Sequence, residues 1–194
     1  MYEDTFLQIA RSEDGVFKPT LVLLGTRLGI DRVTPVYVPS LKQALELSQS
    51  VGIAGGRPNR SHYFFGTQSS SFFYLDPHNT RTALSRQPSP AEIASCHTRR
   101  LRRLEVTEMD PSMLLGFLIR SEEEWNEWKQ AVATPPQPAT TTEDGKKPKP
   151  IVHVHSTEPK YDSTSGMMGS REGEREGAVE EVQSCDDSDD ETVV

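Results

Sequence analysis

Short apolar runs separated by turn-forming residues fill the first half of the chain and predict β-strands. Residues 19–25 form a Leu- and Val-rich run between a proline and a glycine, which is typical of a buried strand. The small apolar residues of 50–56 predict a second strand, placed where another backbone or a substrate comes close. Two aromatic runs, 62–66 and 71–75, follow at a spacing that predicts an antiparallel hairpin.

Helical periodicity and capping residues predict three helices. Ser40 is expected to cap a short helix over residues 41–47, which has an i, i+3, i+4 apolar face. Asp110, followed by a proline, predicts the start of a second helix. Ser121 opens a capping box before a third helix, whose buried face is predicted to contain Trp125 and Trp128.

The remaining segments complete an α+β pattern. Residues 101–106 predict one more strand, 1–18 a weakly specified lead-in and 79–98 a loop. Because the strands follow one another and do not alternate with helices, the pattern favours an α+β fold over β-α-β repeats.

Charge and aromatic content divide the chain after residue 133. The 194 residues carry 21 Lys and Arg against 29 Asp and Glu, a formal net charge of −8. Residues 1–133 hold 15 of each sign, so residues 134–194 carry all of the net charge. The second segment is rich in Pro, Ser and Thr and has too few apolar groups to offset its ordering entropy. We therefore expect a compact unit over 1–133 and a disordered acidic tail over 134–194.

Composition also excludes several classes of protein. No apolar run approaches the roughly 18–20 residues that a membrane span needs, and the acidic first residues do not resemble a signal peptide. Two cysteines, Cys96 and Cys185, are too few for a disulfide framework or a four-thiolate zinc site, so a reducing compartment, the cytosol or the nucleus, is expected. A neutral folded part and a pI near 5.2 argue against nucleic-acid binding.

Asp76, Pro77 and His78 form the most informative short stretch, at the end of the second aromatic run. In an extended chain, residues two apart share a face at a spacing of about 6.5–7 Å, so the carboxylate can reach the imidazole. Such a carboxylate orients the ring, fixes its tautomer and stabilises the imidazolium, which makes the base half of a nucleophile triad. The alternative is a turn in which Asp76 accepts backbone N–H groups and His78 is merely exposed.

Other reactive residues carry weaker signals. His62 is expected to pack in a strand against the hairpin, with a place near an active cleft as the alternative. Cys96 is interpreted as an ordinary loop thiol, and the arginines within 99–103 as solvated side chains on a strand face. His153 and His155 supply only two ligands and predict no metal cage. No cofactor is predicted.

Five blocks of the sequence occur in a fixed order: residues 25–30, 49–59, 62–66, 74–78 and 109–117. Taken together, they closely resemble the autophagins, the papain-like cysteine proteases of autophagy. The similarity continues through 122–132, so it spans about residues 18–132.

The resemblance implies a papain-like α+β fold, here mainly its antiparallel-sheet half. It also implies a thiol protease that cleaves after the C-terminal glycine of the ubiquitin-like autophagy modifier and releases that modifier from phosphatidylethanolamine. Asp76 and His78 match the family's catalytic Asp and His. The implied partner is the modifier, as precursor and in its lipidated form, so that membrane contact is indirect. The implied location is the cytoplasm, with the nucleus and the preautophagosomal structure.

The chain departs from the family pattern at the nucleophile. In the autophagins the reactive Cys lies upstream within a Gly-Trp-Gly-Cys context, whereas Cys96 and Cys185 both follow the Asp/His pair and lack that context. The sequence therefore looks like the C-terminal part of an autophagin, whether a fragment, an alternative product or a mis-started gene model. We expect this chain alone to be inactive. The alternative function is that of a catalytically dead fragment acting as a modifier-binding or regulatory protein.

Overall fold

A computed structural model describes residues 1–136 and 145–159, and within them a six-stranded antiparallel sheet is the central feature. The hydrogen-bonded order is β1-β6-β2-β3-β4-β5, so the last strand lies between the first two. The strands are β1 (Thr20–Arg27), β2 (Ser50–Arg57), β3 (Arg60–Gln68), β4 (Ser71–Leu75), β5 (Arg102–Glu105) and β6 (Ser112–Ile119).

Four α-helices and two short 3-10 turns accompany the sheet in the described part of the chain, which confirms the α+β class. None of the described helices combines the length and apolar character that a bilayer crossing requires. The helices are α1 (Glu3–Ala10), α2 (Val38–Glu46), α3 (Pro90–Ser95) and α4 (Glu122–Ala133), and the 3-10 turns are Pro35–Tyr37 and Val106–Glu108.

The hydrophobic core lies between one face of the sheet and helices α2 and α4. Side chains that alternate along the strands, including Phe64 and Phe117, are buried against α2 or α4, as the period-two pattern requires. The opposite face carries a row of exposed apolar side chains. They are Leu21, Leu23, Leu114, Tyr63, Phe65 and Leu75.

Most predicted strands are present with nearly the predicted bounds, but one predicted helix is wrong. Residues 112–119 form the central strand β6 instead of a helix that begins at Asp110. Asp110 accepts a hydrogen bond from the Ser112 backbone N–H (2.8 Å) and so ends a turn before the strand. Met113, Leu115 and Phe117 are buried at alternate positions, and this period of two outweighs the capping signal.

The predicted cap at Ser40 is also wrong, because α2 begins at Val38 and buries Ser40 within its first turn. Ser121 does cap α4, since its Oγ accepts a hydrogen bond from the Glu124 N–H (3.2 Å). The Glu124 carboxylate accepts from the Arg120 N–H (2.8 Å), so the predicted capping box is only half formed.

Two segments predicted to lack regular structure contain helices. In the predicted lead-in, α1 places Phe6 in a stack against Trp125, with ring centroids 3.9 Å apart. In the predicted loop, α3 begins with a complete capping box between Ser89 and Glu92. Both helices are short, so periodicity alone carries little signal for them.

The compact unit continues past residue 133 and comprises Met1–Glu158. The backbone of His155 pairs with that of Met1 and Glu3 (2.9 and 2.8 Å), and the side chain of Val152 is buried in the core. These residues differ from the predicted tail because 151–154 contains three apolar side chains and one histidine, a local cluster that composition over the whole tail obscures. The predicted disorder of 160–194 and of 137–144 lies outside the described residues.

Val152→Asp tests whether this segment stabilises the fold. The substitution places a carboxylate in the core without a partner, so we expect the free energy of unfolding to fall by about 3 kcal/mol or more. Chemical denaturation followed by tryptophan fluorescence measures the change. His153→Asp, at the exposed neighbouring position, is the control and should change stability by less than about 0.5 kcal/mol; equal effects at both positions would contradict the packing described.

Gly52→Ala tests the irregular pairing of β2 with β6. Gly52 has a φ of +104°, and a Cβ there would lie 2.7 Å from the Phe64 carbonyl oxygen. We expect a loss of at least about 1–3 kcal/mol, from backbone strain alone. Gly25→Ala, on edge strand β1 with open space around its Cβ, is the matched control and should be neutral or slightly stabilising. Thermal unfolding compares the two variants. Similar melting temperatures would show that the backbone at the irregularity between Ser50 and Gly52 is not constrained.

Candidate active site

The end of β4 brings the Asp76 carboxylate and the His78 imidazole together. His78 Nδ1 lies 2.7 Å from Asp76 Oδ1, and the His78 backbone N–H donates to the same oxygen at 3.1 Å. This backbone hydrogen bond forms the turn that the sequence analysis gives as the alternative to a catalytic pair. The turn and the side-chain pair are both present. The turn therefore positions the ring.

A second strand supplies the other partner of Asp76. In the β4–β5 pairing, Arg102 lies opposite Tyr74, and its Nη1 donates to Asp76 Oδ2 at 2.6 Å. The arginines within 99–103 are exposed, as the sequence predicts, and Arg102, whose side chain is 52% exposed, also pairs with Asp76. His78 binds Oδ1 and Arg102 binds Oδ2, so hydrogen bonds to both oxygens fix the plane of the carboxylate. The imidazole contacts only Oδ1.

These hydrogen bonds favour the ionised form of Asp76. The backbone N–H of His78, then its side chain, lower the pKa of the carboxyl from its ordinary value of 3.8 to about 2, and Arg102 adds a smaller electrostatic contribution in the same direction. Asp76 is thus an anion at neutral pH. Its charge faces the imidazole and stabilises the imidazolium when that forms.

The geometry leaves one nitrogen of His78 available for chemistry. When Nδ1 carries the proton it donates to Asp76 Oδ1, and Nε2 is then the acceptor. The His78 side chain is 51% exposed, whereas that of Asp76 is 16% exposed. An anchored carboxylate and an accessible imidazole are the arrangement of a general base.

His62 lies beside this pair and satisfies both sequence interpretations. It is 4% exposed and stacks on Tyr74 at 4.2 Å, and its ring meets that of His78 edge-on at 6.2 Å. Burial lowers the pKa of His62, with Asp76 acting in the opposite direction. The sequence predicts that His62 lies in a strand. Its contact with His78 depends on how β3 pairs with β4, which the sequence does not show.

An open groove of about 560 Å³ adjoins the site. Residues at the connected ends of β2 and β3 form one side of it, and Pro77 and Asp110 contribute to its lining. Pro77 lies between Asp76 and His78 in the chain and also lines the groove, so the groove lies beside the candidate site.

Cys96 does not complete a triad in the described residues. It is exposed at the end of α3, and its Sγ donates to the Glu92 carbonyl at 3.8 Å. Among the hydrogen bonds of residues 1–136 and 145–159, none joins this thiol to His78. The interpretation of Cys96 as an ordinary thiol fits this position, and Cys185 lies outside the described residues.

A carboxylate-held imidazole at the end of a strand is the base half used by hydrolases of the nucleophile–His–Asp class. Comparison with known families agrees with that class, since the model of the peptidase C54 catalytic domain matches residues 1–131. The chain belongs to the peptidase C54 family.

Fungal cysteine proteases are similar to the chain over its whole length. It is 50% identical to the "Probable cysteine protease atg4" of Botryotinia fuckeliana and 49% identical to that of Sclerotinia sclerotiorum, in each case over 100% of this chain and 41% of the relative. It is 47% identical to the "Cysteine protease atg4" of Emericella nidulans, over 97% of this chain and 43% of the relative. The resemblance to the autophagins is thereby confirmed, and the chain spans about two fifths of these relatives.

Asp76→Asn tests the ionised state of the site. A carboxyl with a lowered pKa stabilises the fold above its unfolded-state value, and that contribution is lost as pH falls from about 3.8 to about 2. The variant should therefore lose less stability than the wild type across this pH range. Thermal unfolding measured at several pH values gives the two slopes.

Two features calibrate that measurement. Hydrogen bonds from Ser89 also lower the pKa of Glu92 to about 2, so a residual slope should remain in the variant. Asp31→Asn, at an exposed aspartate after β1, is the control and should retain the wild-type slope. A slope unchanged by Asp76→Asn would show that Asp76 has no stabilising partners when ionised.

Proposed function

We propose that this chain supplies the general base, His78, and the orienting carboxylate, Asp76, of an autophagy cysteine protease. The observation that carries the proposal is the 2.7 Å contact between His78 Nδ1 and Asp76 Oδ1, beside an accessible Nε2. Membership of a cysteine peptidase family supports the same chemistry.

His78 acts twice in the proposed reaction. Its Nε2 takes the proton of a cysteine thiol, and the thiolate–imidazolium pair lowers the thiol pKa from about 8.5 to roughly 3–4, as in papain. The thiolate attacks the substrate carbonyl, and the imidazolium then gives its proton to the leaving amine. Asp76 keeps the ring in the tautomer and orientation that both transfers need.

The nucleophile is proposed to come from another segment of the family polypeptide. The exposed apolar row on the sheet supports a further packed segment, since such a row is the kind of surface that another part of a folded unit covers. The row lies on the face opposite to His62, so it indicates a further part of the fold and not the position of the thiol.

The proposed substrate is the ubiquitin-like autophagy modifier, cut after its C-terminal glycine. The precursor and the phosphatidylethanolamine conjugate both contain an amide of that glycine, so one acyl-transfer chemistry serves processing and delipidation. The groove beside Pro77 would receive an extended tail. The proposed location is the cytoplasm, with the nucleus and the preautophagosomal structure, as the resemblance to the autophagins implies.

A chimaera tests the proposed roles. This chain replaces the matching two fifths of the Botryotinia fuckeliana relative, and cleavage of a modifier fused after its glycine to a reporter is followed. We expect kcat/KM to fall at least about 10³-fold in His78→Ala and about 10²–10⁴-fold in Asp76→Asn. Cys96→Ser is the matched control and should retain the activity of the chimaera.

The isolated chain is assayed beside the chimaera and should give no turnover. Turnover of the isolated chain that Cys96→Ser abolishes would make Cys96 the nucleophile. A folded chimaera that is active with His78→Ala would overturn the role of the imidazole.

One observation favours a second function for the isolated chain. The groove and the Asp76–His78 pair are present, but Cys96, the described cysteine, does not contact His78. A chain of this kind would bind the modifier without cleaving it. Pull-down of the modifier by the isolated chain tests this function, and failure to retain it would count against a modifier-binding role.

A further inference from the structure

We propose that His62, Asp76 and His78 form a binding site for a zinc ion. Each residue offers one ligand atom, two imidazole nitrogens and a carboxylate oxygen, and these three atoms lie within 4.8 Å of one another. They come from two adjacent strands, His62 from β3 and the other two from the end of β4. The pairing of β3 with β4 therefore adds His62 to the Asp76–His78 motif.

The buried histidine is the independent sign of a ligand. His62 is 4% exposed, and its Nδ1 has no hydrogen-bond partner among the described residues. Buried polar atoms in folded proteins normally have a partner, so an unpaired ring nitrogen on a histidine of this cluster needs an explanation. A bound cation in this cluster supplies one.

The donor set selects the metal. Two imidazoles and one carboxylate suit zinc, whereas magnesium and calcium prefer oxygen ligands. Tetrahedral zinc with bonds of about 2.0–2.1 Å holds its ligand atoms about 3.3 Å apart. His78 is half exposed and can rotate to reach that spacing, while packing holds His62 and two hydrogen bonds hold Asp76.

Nearby charges limit the affinity without removing a ligand. Arg102 neutralises part of the Asp76 charge, but it binds Oδ2 and leaves Oδ1 to face the histidines. Arg57 acts on His62 electrostatically and opposes a second cation. The three protein ligands leave a fourth zinc position for water.

Zinc in this cluster would occupy the base of the proposed protease. This consequence rests on the proposed function, because a metal-bound His78 cannot accept a thiol proton. The binding itself does not, since it needs only residues of this chain. The zinc titration tests the metal site and the chimaera assay tests the protease role, so either experiment can fail while the other succeeds.

The test is calorimetric titration of zinc into the full chain. We expect saturable binding, with the affinity at least about tenfold lower in His62→Phe, Asp76→Asn and His78→Ala. His62→Phe removes the ligand but retains an aromatic ring for stacking on Tyr74. Cobalt, added in place of zinc, should give the visible absorption of a tetrahedral site, and magnesium should not bind.

Two control variants identify binding elsewhere. His97→Ala and the double variant His153→Ala with His155→Ala alter exposed histidines outside the cluster and should bind zinc as the wild type does. Loss of binding in either control, or wild-type binding by folded His62→Phe, would overturn the proposal, as would absence of saturable binding. If His62→Phe does not fold, the imidazole NMR signals of wild-type His62 and His78 decide, because both must shift with zinc.

Discussion

Donors from the turn after β4 and from strand β5 hold the Asp76 carboxylate, and the geometry of the candidate site depends on both. The turn after β4 supplies two donors, from the backbone and the side chain of His78, while β5 supplies the Arg102 guanidinium. Removing either set of donors would leave the carboxylate free to rotate. The His78 imidazole would then lose the fixed acceptor that orients it. The site thus requires the sheet to be complete as far as its β5 edge.

The same arrangement separates two histidines of different character. His78 lies beyond the strand, half exposed, where its ring can exchange protons with a reactant. His62 lies one strand away on the core face, where Tyr74 and the lowered pKa keep it neutral. One carboxylate faces both rings, but only the exposed ring is placed for proton transfer. The two side chains are chemically identical, so the difference between them comes from their burial.

The sequence was informative wherever local pattern and long-range pairing agreed. The hairpin of β3 and β4, the strands β1 and β2, and the cap at Ser121 follow from neighbours in the chain. The prediction that β1 is buried is wrong, because β1 lies at the sheet edge and exposes Leu21 and Leu23. Strand β6 was mistaken for a helix because its capping signal is local, whereas its position between β1 and β2 is fixed by partners far along the chain. Asp76 and His78 were found as a motif, but Arg102 and His62 reach them only through strand register, which composition does not reveal. The docking of residues 151–154 is obscured by the proline-rich segment that precedes them.

The strand order also constrains how the chain can reach this fold during synthesis. Strands β1 and β2 share no direct pairing and are joined only through β6, which is the last of the six to leave the ribosome. Until then the nascent polypeptide holds two separated apolar segments whose hydrogen-bonding edges are unsatisfied. Pairings of such high sequence separation form slowly, and exposed edges of this kind are prone to aggregate. The sheet can therefore be completed only once β6 has been synthesised.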